Sequence, residues 1–182
     1  MEVKGISIKN CQDWVLASHS EADWEALVDA LPEDSRKELT DYSVFSGKWY
    51  PVTVFEDVNK YIIDRWGKGD HRIIFRIARE GAVKNLKSVY RIFMKVASPA
   101  YVLKKTAVMY RQFYNYGEMK VVQDTVGDVI IELHDVPDQR IVFERISGYM
   151  EGVLLATKAT DPKAVFEYLP DERKTIFNIV YK

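Results

Sequence analysis

Cysteine occurs once, at Cys11, so no internal disulfide can form. That fits a reducing compartment and argues against a secreted disulfide scaffold, and a cytoplasmic location is expected. No stretch approaches the 18 consecutive apolar residues of a spanning helix. The opening "MEVKGISIKN" lacks the apolar core of a signal peptide. Histidine is scarce too: His19, His71 and His134 lie in three distant segments. No HExxH, CxxC, Walker loop or GxSxG occurs. "GKGD" at 67–70 has too few glycines to cradle a phosphate and reads as a helix junction. His134 and Asp135 are neighbours on an expected strand, so their side chains should diverge rather than share a metal. Cys11 has no partnered base nearby and reads as a small buried residue. These absences remove the usual catalytic constellations. No catalytic residue, metal or cofactor is expected, and the chain is read as a non-enzyme.

What is present is an ordinary globular composition, 47% hydrophobic and 29% charged, in a chain of one-domain length. No linker, repeat or low-complexity tract interrupts it, so residues 1–182 are expected to form a single α+β domain. The net charge of −1 conceals three blocks. Residues 1–67 carry −6, residues 68–120 carry +9, and residues 121–182 carry −4. With no overall basic excess and no reading motif, nucleic acid is not an expected partner.

Periodicity supplies the elements. "VKGISIKN" suggests a short strand followed by helical pieces. In "HSEADWEALVDAL", Ser20 suits an N-cap with Asp23 three residues on, and Trp24, Leu27, Val28 and Leu31 recur at helical spacing. Another helix follows "WYP" and stops at Gly67. From Asp70 to Ala97, Phe75, Ala78, Ala82, Leu86, Val89, Phe93 and Val96 form an apolar face. Opposite it stand Arg72, Arg76, Arg79, Lys84, Lys87, Arg91 and Lys95. In "ASPAYVLKKTAVMYRQFYNYG", Ser98 caps a helix, Pro99 fits its first turn and Gly117 ends it. Leu103, Ala107, Tyr110 and Tyr114 form one stripe; Val102, Thr106, Met109 and Phe113 form the next. Beyond Gly117 the alternation turns to strand, with a hairpin about Gly127-Asp128. A helix through "RIVFERISGYMEGVLL" follows, with Ile141, Ile146, Tyr149 and Val153 toward the core, and a second hairpin closes the chain. Gly148 and Gly152, four apart, permit close backbone packing. The fold expected is α+β: N-terminal helices on an antiparallel sheet of two hairpins separated by a helix.

That element order, with "WYP", "SPAYVLKKTAVMYRQFYNYGEM" and "ISGYMEGVLLATK", resembles a superfamily of ligand-binding and transport domains over roughly the whole chain. It includes haem-nitric-oxide-binding domains, 4-vinyl-reductase (phenol-sensing) domains and Golgi-transport tethering subunits. The chain is most similar to an uncharacterised paralogous family abundant in myxobacteria, where an "ALPEDSR"-like segment also precedes "WYP". Haem-binding members place an axial histidine on the helix matching 98–116; this chain has Leu103-Lys104 there. Their Tyr-x-Ser-x-Arg motif falls where this chain reads "ELHDVPDQR". Phenol-sensing members carry a cysteine pair near the C-terminus, whereas "EYLPDERKTIFNIVY" has none and offers Thr175 near the second position. Tethering members hold an acyl chain through a cysteine on a helix other than that of Cys11. The resemblance therefore implies a binding domain without haem, structural zinc or covalent lipid.

Two readings of function follow. The helix at 98–116 is core first, but the resemblance implies that one stripe also lines a cavity. Tyr90, Phe93, Tyr101, Met109 and Tyr110 are the candidate contacts for an apolar small molecule or lipid in a signalling or sensor domain. The alternative is a dimeric protein-interaction or scaffold domain with no small ligand. There Arg72, Arg76, Lys84 and Arg91 would dock an acidic protein, unless the acidic blocks neutralise that face internally. A homodimer through helical surface is expected in either case.

Overall fold

A computed structural model describes residues 1–89, 98–157 and 159–182, the side chains of 85–89 excepted. The chain forms two compact units, Met1–Ile73 with Gln112–Asn115, and Ile74–Arg111 with Tyr116–Lys182.

The first unit opens with β1 (Glu2–Lys4), α1 (Ile6–Ser18), α2 (Glu21–Asp29) and α3 (Glu33–Glu38). Strand β2 (Trp49–Pro51) and helix α4 (Val52–Arg65) follow. Ser20 caps α2 as its sequence predicts, its hydroxyl accepting from the Asp23 N–H at 3.1 Å. β1 and β2 pair antiparallel with Val3 opposite Tyr50, and Tyr114 bridges to Val3. Asn115 secures that junction, its Oδ1 accepting from the Glu2 N–H at 2.7 Å. The core gathers the periodic residues: Ile8, Cys11, Val15, Trp24, Leu27, Phe55, Val58 and Ile62 are all buried. Cys11 is the small buried residue expected, its thiol donating to Asn59 Oδ1 at 3.3 Å.

The second unit holds most of α5 (Arg72–Val89) and α6 (Pro99–Phe113), the hairpin β3 (Glu118–Thr125) and β4 (Asp128–His134), then α7 (Arg140–Leu155). The second hairpin, β5 (Lys163–Leu169) and β6 (Lys174–Val180), completes an antiparallel sheet in the order β3-β4-β6-β5. This is the α+β class with two hairpins separated by a helix. Register aligns an apolar face in rows: Val129, Ile179 and Ala164; Ile131, Phe177 and Phe166; Leu133, Thr175 and Tyr168. Phe143 of α7 lies on that face, edge-on to Phe166 at 5.6 Å and stacked on Tyr168 at 5.7 Å.

Helix α7 is buried nearly all round, more than its amphipathic pattern predicts, since Glu144, Arg145, Ser147 and Glu151 are buried as well. Its second partner is α5. A Cβ at Gly148 would collide with the Phe75 carbonyl oxygen, and one at Gly152 would stand 2.7 Å from the Ala82 methyl. The glycine pair thus permits the close backbone approach its spacing suggests. The sequence-read end of α6 shifts instead. The helix stops at Phe113, because Tyr114 leaves it to pair with Val3, and Gly117 takes its left-handed φ of +70° at the strand entry.

Gly148→Ala is expected to destabilise despite the better helix propensity of alanine, by roughly 1–3 kcal/mol, because the overlap is with backbone. Gly47→Ala, where an added Cβ meets nothing within 4 Å, should stay within about 0.5 kcal/mol of the parent. Urea denaturation of both variants measures the contrast.

Candidate functional site

Helix α6 carries most of the sequence-predicted ligand contacts. The Ser98 hydroxyl accepts from the Tyr101 N–H at 3.3 Å, the expected cap. The first stripe is buried as read: Leu103, Ala107, Tyr110 and Tyr114. The second divides, with Val102 buried but Met109 exposed at 39%. Tyr101 is also exposed, at 44%, whereas Tyr110 is at 4%. Nine residues turn an α-helix by about two and a half revolutions, so Tyr101 and Tyr110 point to opposite sides. The structure therefore does not bring Tyr101, Met109 and Tyr110 around one space. Tyr90 and Phe93 lie outside the described residues.

On α5 the apolar side is seated as read, with Phe75, Ala78 and Ala82 buried. Arg72, Arg76 and Lys84 are exposed on the other side, and Arg91 lies outside the described residues. Arg79 turns inward, its Nε 3.4 Å from the Glu151 carboxylate. Glu151 also accepts from the Ala164 N–H at 2.9 Å, capping a donor of strand β5.

The solvent side of α6 borders a groove of about 510 Å³. Its walls are Ala107, Val108 and Arg111 from α6, Gly117, Glu118 and Met119 at the entry to β3, and Asp135 just beyond β4. Arg111 Nη1 donates to the Gly117 carbonyl at 3.0 Å, tying helix to strand. Gly117 has no room for a side chain, since a Cβ would stand 2.8 Å from Val136. Further along, β3 slips at Val122: Val121 faces Ile131, yet Gln123 faces Ile130. The bulge moves Asp124 opposite buried Val129, onto the inner face, where Lys104 of α6 pairs with it. Sequence reading assigned no role to Arg111 or Asp135. The signal that could have found them was Gly117, whose turn sets the helix end beside both strands.

The opposite face of the sheet holds an ion network. Glu132 lies 2.8 Å from His134 Nε2 and 3.1 Å from Lys174 Nζ. Lys174 also meets Glu172 at 2.8 Å. Burial pushes the Glu132 carboxyl up, but hydrogen bonds and charge from Lys174 and His134 outweigh it and hold the acid below the usual range. Lys174 is raised, chiefly by hydrogen bonds to Glu172 and Glu132. His134 is the last residue of β4, and Asp135, expected beside it on the strand, stands beyond it with φ +57°, so strand alternation does not govern the pair. Among the described residues no group of three or more His, Cys, Asp or Glu side chains could hold a metal ion, and no helix is long and apolar enough to cross a membrane.

No family model matches the chain, and no curated protein matches it. Solved structures do. An Fe(II) unliganded H-NOX protein from K. algicida superposes with a TM-score of 0.73 at 13% identity, covering 98% of this chain and 96% of that one. An Fe(II) H-NOX protein from S. oneidensis, a triple mutant, gives 0.74 at 11% identity with the same coverage. A point mutant of the T. Tengcongensis H-NOX gives 0.57 at 11% identity, covering 88% of this chain and 94% of that one. The chain therefore has an H-NOX-like fold. A haem iron needs an axial side-chain donor, usually His, Cys, Met or Tyr; α6 has no histidine or cysteine, and its other donors are Tyr101 and Met109, both exposed, and Tyr110, which is buried. In the Leu103-Lys104 neighbourhood where the resemblance expects histidine, Leu103 is a fully buried aliphatic and Lys104 pairs with Asp124. His134 is held by Glu132, and His71 precedes α5.

Because the folded Glu132 pKa is depressed, its contribution is present above the ordinary carboxylate range and lost as pH falls through the folded value. Glu132→Gln should therefore lower Tm at pH 7. The gap to the parent should close in thermal melts as pH falls below the folded Glu132 value.

Proposed function

We propose that this chain is a sensor-type signalling domain that binds an apolar small molecule or lipid non-covalently, without haem or metal. The reading is supported by the H-NOX-like fold together with a buried Leu103 in the Leu103-Lys104 neighbourhood where the resemblance expects an axial histidine. An aliphatic side chain there gives iron no donor but leaves the interior fit for an apolar guest. Tyr110, which faces inward, is the described contact assigned to that guest, with Tyr90 and Phe93 completing the set. Tyr101 and Met109 leave it, because they face solvent. Hemin added to purified protein should give no stoichiometric Soret band, and native mass spectrometry should show an added apolar mass that Tyr110→Ala loses. A one-to-one Soret band would overturn the haem-free reading, and a bare 21.1 kDa chain that takes up no apolar fluorophore would overturn the ligand.

A second reading, a dimeric interaction domain, draws on the exposure of Arg72, Arg76 and Lys84 along one side of α5. Gly148 and Gly152 give it no support, since both are used against α5 within their own unit. Under this reading, Arg76→Glu with Lys84→Glu keeps the fold and abolishes a salt-sensitive association with an acidic protein. Sedimentation as a monomer at micromolar concentration would count against the dimer.

A further inference from the structure

We infer that the groove beside α6 is a site for a small zwitterion with an apolar side chain, a free amino acid or a short dipeptide. It is separate from the interior guest proposed above and does not depend on it. Three features converge on that chemistry. The first is charge of both signs held apart. Arg111 and Asp135 wall one groove, yet they form no ion pair with each other or with another described residue. These two stand open across a space of about 510 Å³, within the range of small-molecule sites.

The second feature is rigidity. Arg111 is held by its bond to the Gly117 carbonyl, which leaves the rest of its five-donor fork for a carboxylate. Asp135 is set by a left-handed backbone, φ +57°, immediately before Val136, whose N–H donates to the Arg173 carbonyl at 3.0 Å. Gly117 packs against Val136 and Leu133 with no space for a side chain. The Arg111 side chain and the Asp135 backbone are thus set before a ligand arrives, which lowers the ordering cost of binding.

The third is the apolar surface between the charges. Ala107, Val108 and Met119 line the groove, and Val108 is 73% exposed, an apolar side chain in water that a ligand would cover. The remaining acid, Glu118, is engaged by Lys120 at 2.8 Å. That hydrogen bond, from Lys120, is the main reason Glu118 lies below its ordinary value. Arg111 also attracts Glu118, and Asp135 also attracts Lys120, but neither forms an ion pair, so Asp135 can receive an ammonium and Arg111 a carboxylate.

The test is titration of the 15N-labelled protein with L-leucine and L-leucyl-L-leucine to about 10 mM, a range that reaches weak millimolar binding. Leucinamide, which lacks the carboxylate, and N-acetyl-leucine, which lacks the ammonium, serve as controls. Amide shifts should map to Ala107, Val108, Met119 and Asp135 and saturate for at least one zwitterion. Each control should bind at least roughly tenfold more weakly. Arg111→Gln should reduce the zwitterion to the affinity of the amide, and Asp135→Asn, which keeps a residue tolerant of positive φ, to that of the acetylated acid. Whichever zwitterion saturates tells the free amino acid from the dipeptide. Absence of shifts with both zwitterions would overturn the proposal, as would equal binding of the controls or variants that bind like the parent.

Discussion

The close approach of α7 to α5 is the constraint on which the second unit depends. Two helices whose backbones meet at Gly148 and Gly152 leave no room for intervening side chains. What would have been lateral packing becomes direct contact of helix surfaces, and the residues flanking the glycines are forced into specific directions. Glu151 is the main beneficiary. One turn along from Ser147, it reaches the Arg79 guanidinium on α5 and the Ala164 N–H on β5 together. A carboxylate at 7% exposure is costly unless it is paired and hydrogen-bonded, and here it is both. The same contact satisfies a donor on β5, the last strand in the order β3-β4-β6-β5, where an open backbone would invite pairing with another chain.

Sequence reasoning reached the features that depend on local chemistry. Ser20 and Ser98 cap their helices because a hydroxyl before a helix has one obvious use, and the structure finds both bonds. Gly148 and Gly152 announced a close approach because nothing else explains two glycines one turn apart in an apolar helix. The period change after Gly117 marked the first hairpin for the same reason. Each is a property of a few neighbouring residues. The element order that these signals assemble sufficed to suggest the α+β fold that the solved H-NOX structures share.

What stayed hidden depends on partners far away in the chain. The two stripes of α6 look equally apolar in sequence, but burial of the second depends on what covers it, and Met109 and Tyr101 end in solvent. Alternation along β3 predicts one inward set, while the bulge at Val122 exchanges the faces midway and turns Asp124 toward Lys104. No pattern within "EMKVVQDT" signals that slip; it exists only against the register of β4. The groove is of the same kind, since Arg111, Gly117 and Asp135 meet only once the hairpin has folded back beside the helix end.

The charge blocks show how the two levels combine. The basic segment 68–120 was expected either to present a docking face or to be neutralised by the acidic blocks, and within the second unit some of its cations pair with acids while others stay exposed. Arg79 and Lys104 take acids from the block 121–182, Glu151 and Asp124. One pair links α5 to α7 and the other links α6 to β3. Lys84 stays exposed on the outer side of α5. Arg111 is tied to a carbonyl, a contact that fixes its position without cancelling its charge. Segregated charge along the chain therefore does more than solvate the surface. Acids placed after the basic helices arrive last, on β3 and α7, where each selects a particular cation. A cation anchored by a carbonyl instead, as Arg111 is, keeps its charge uncancelled.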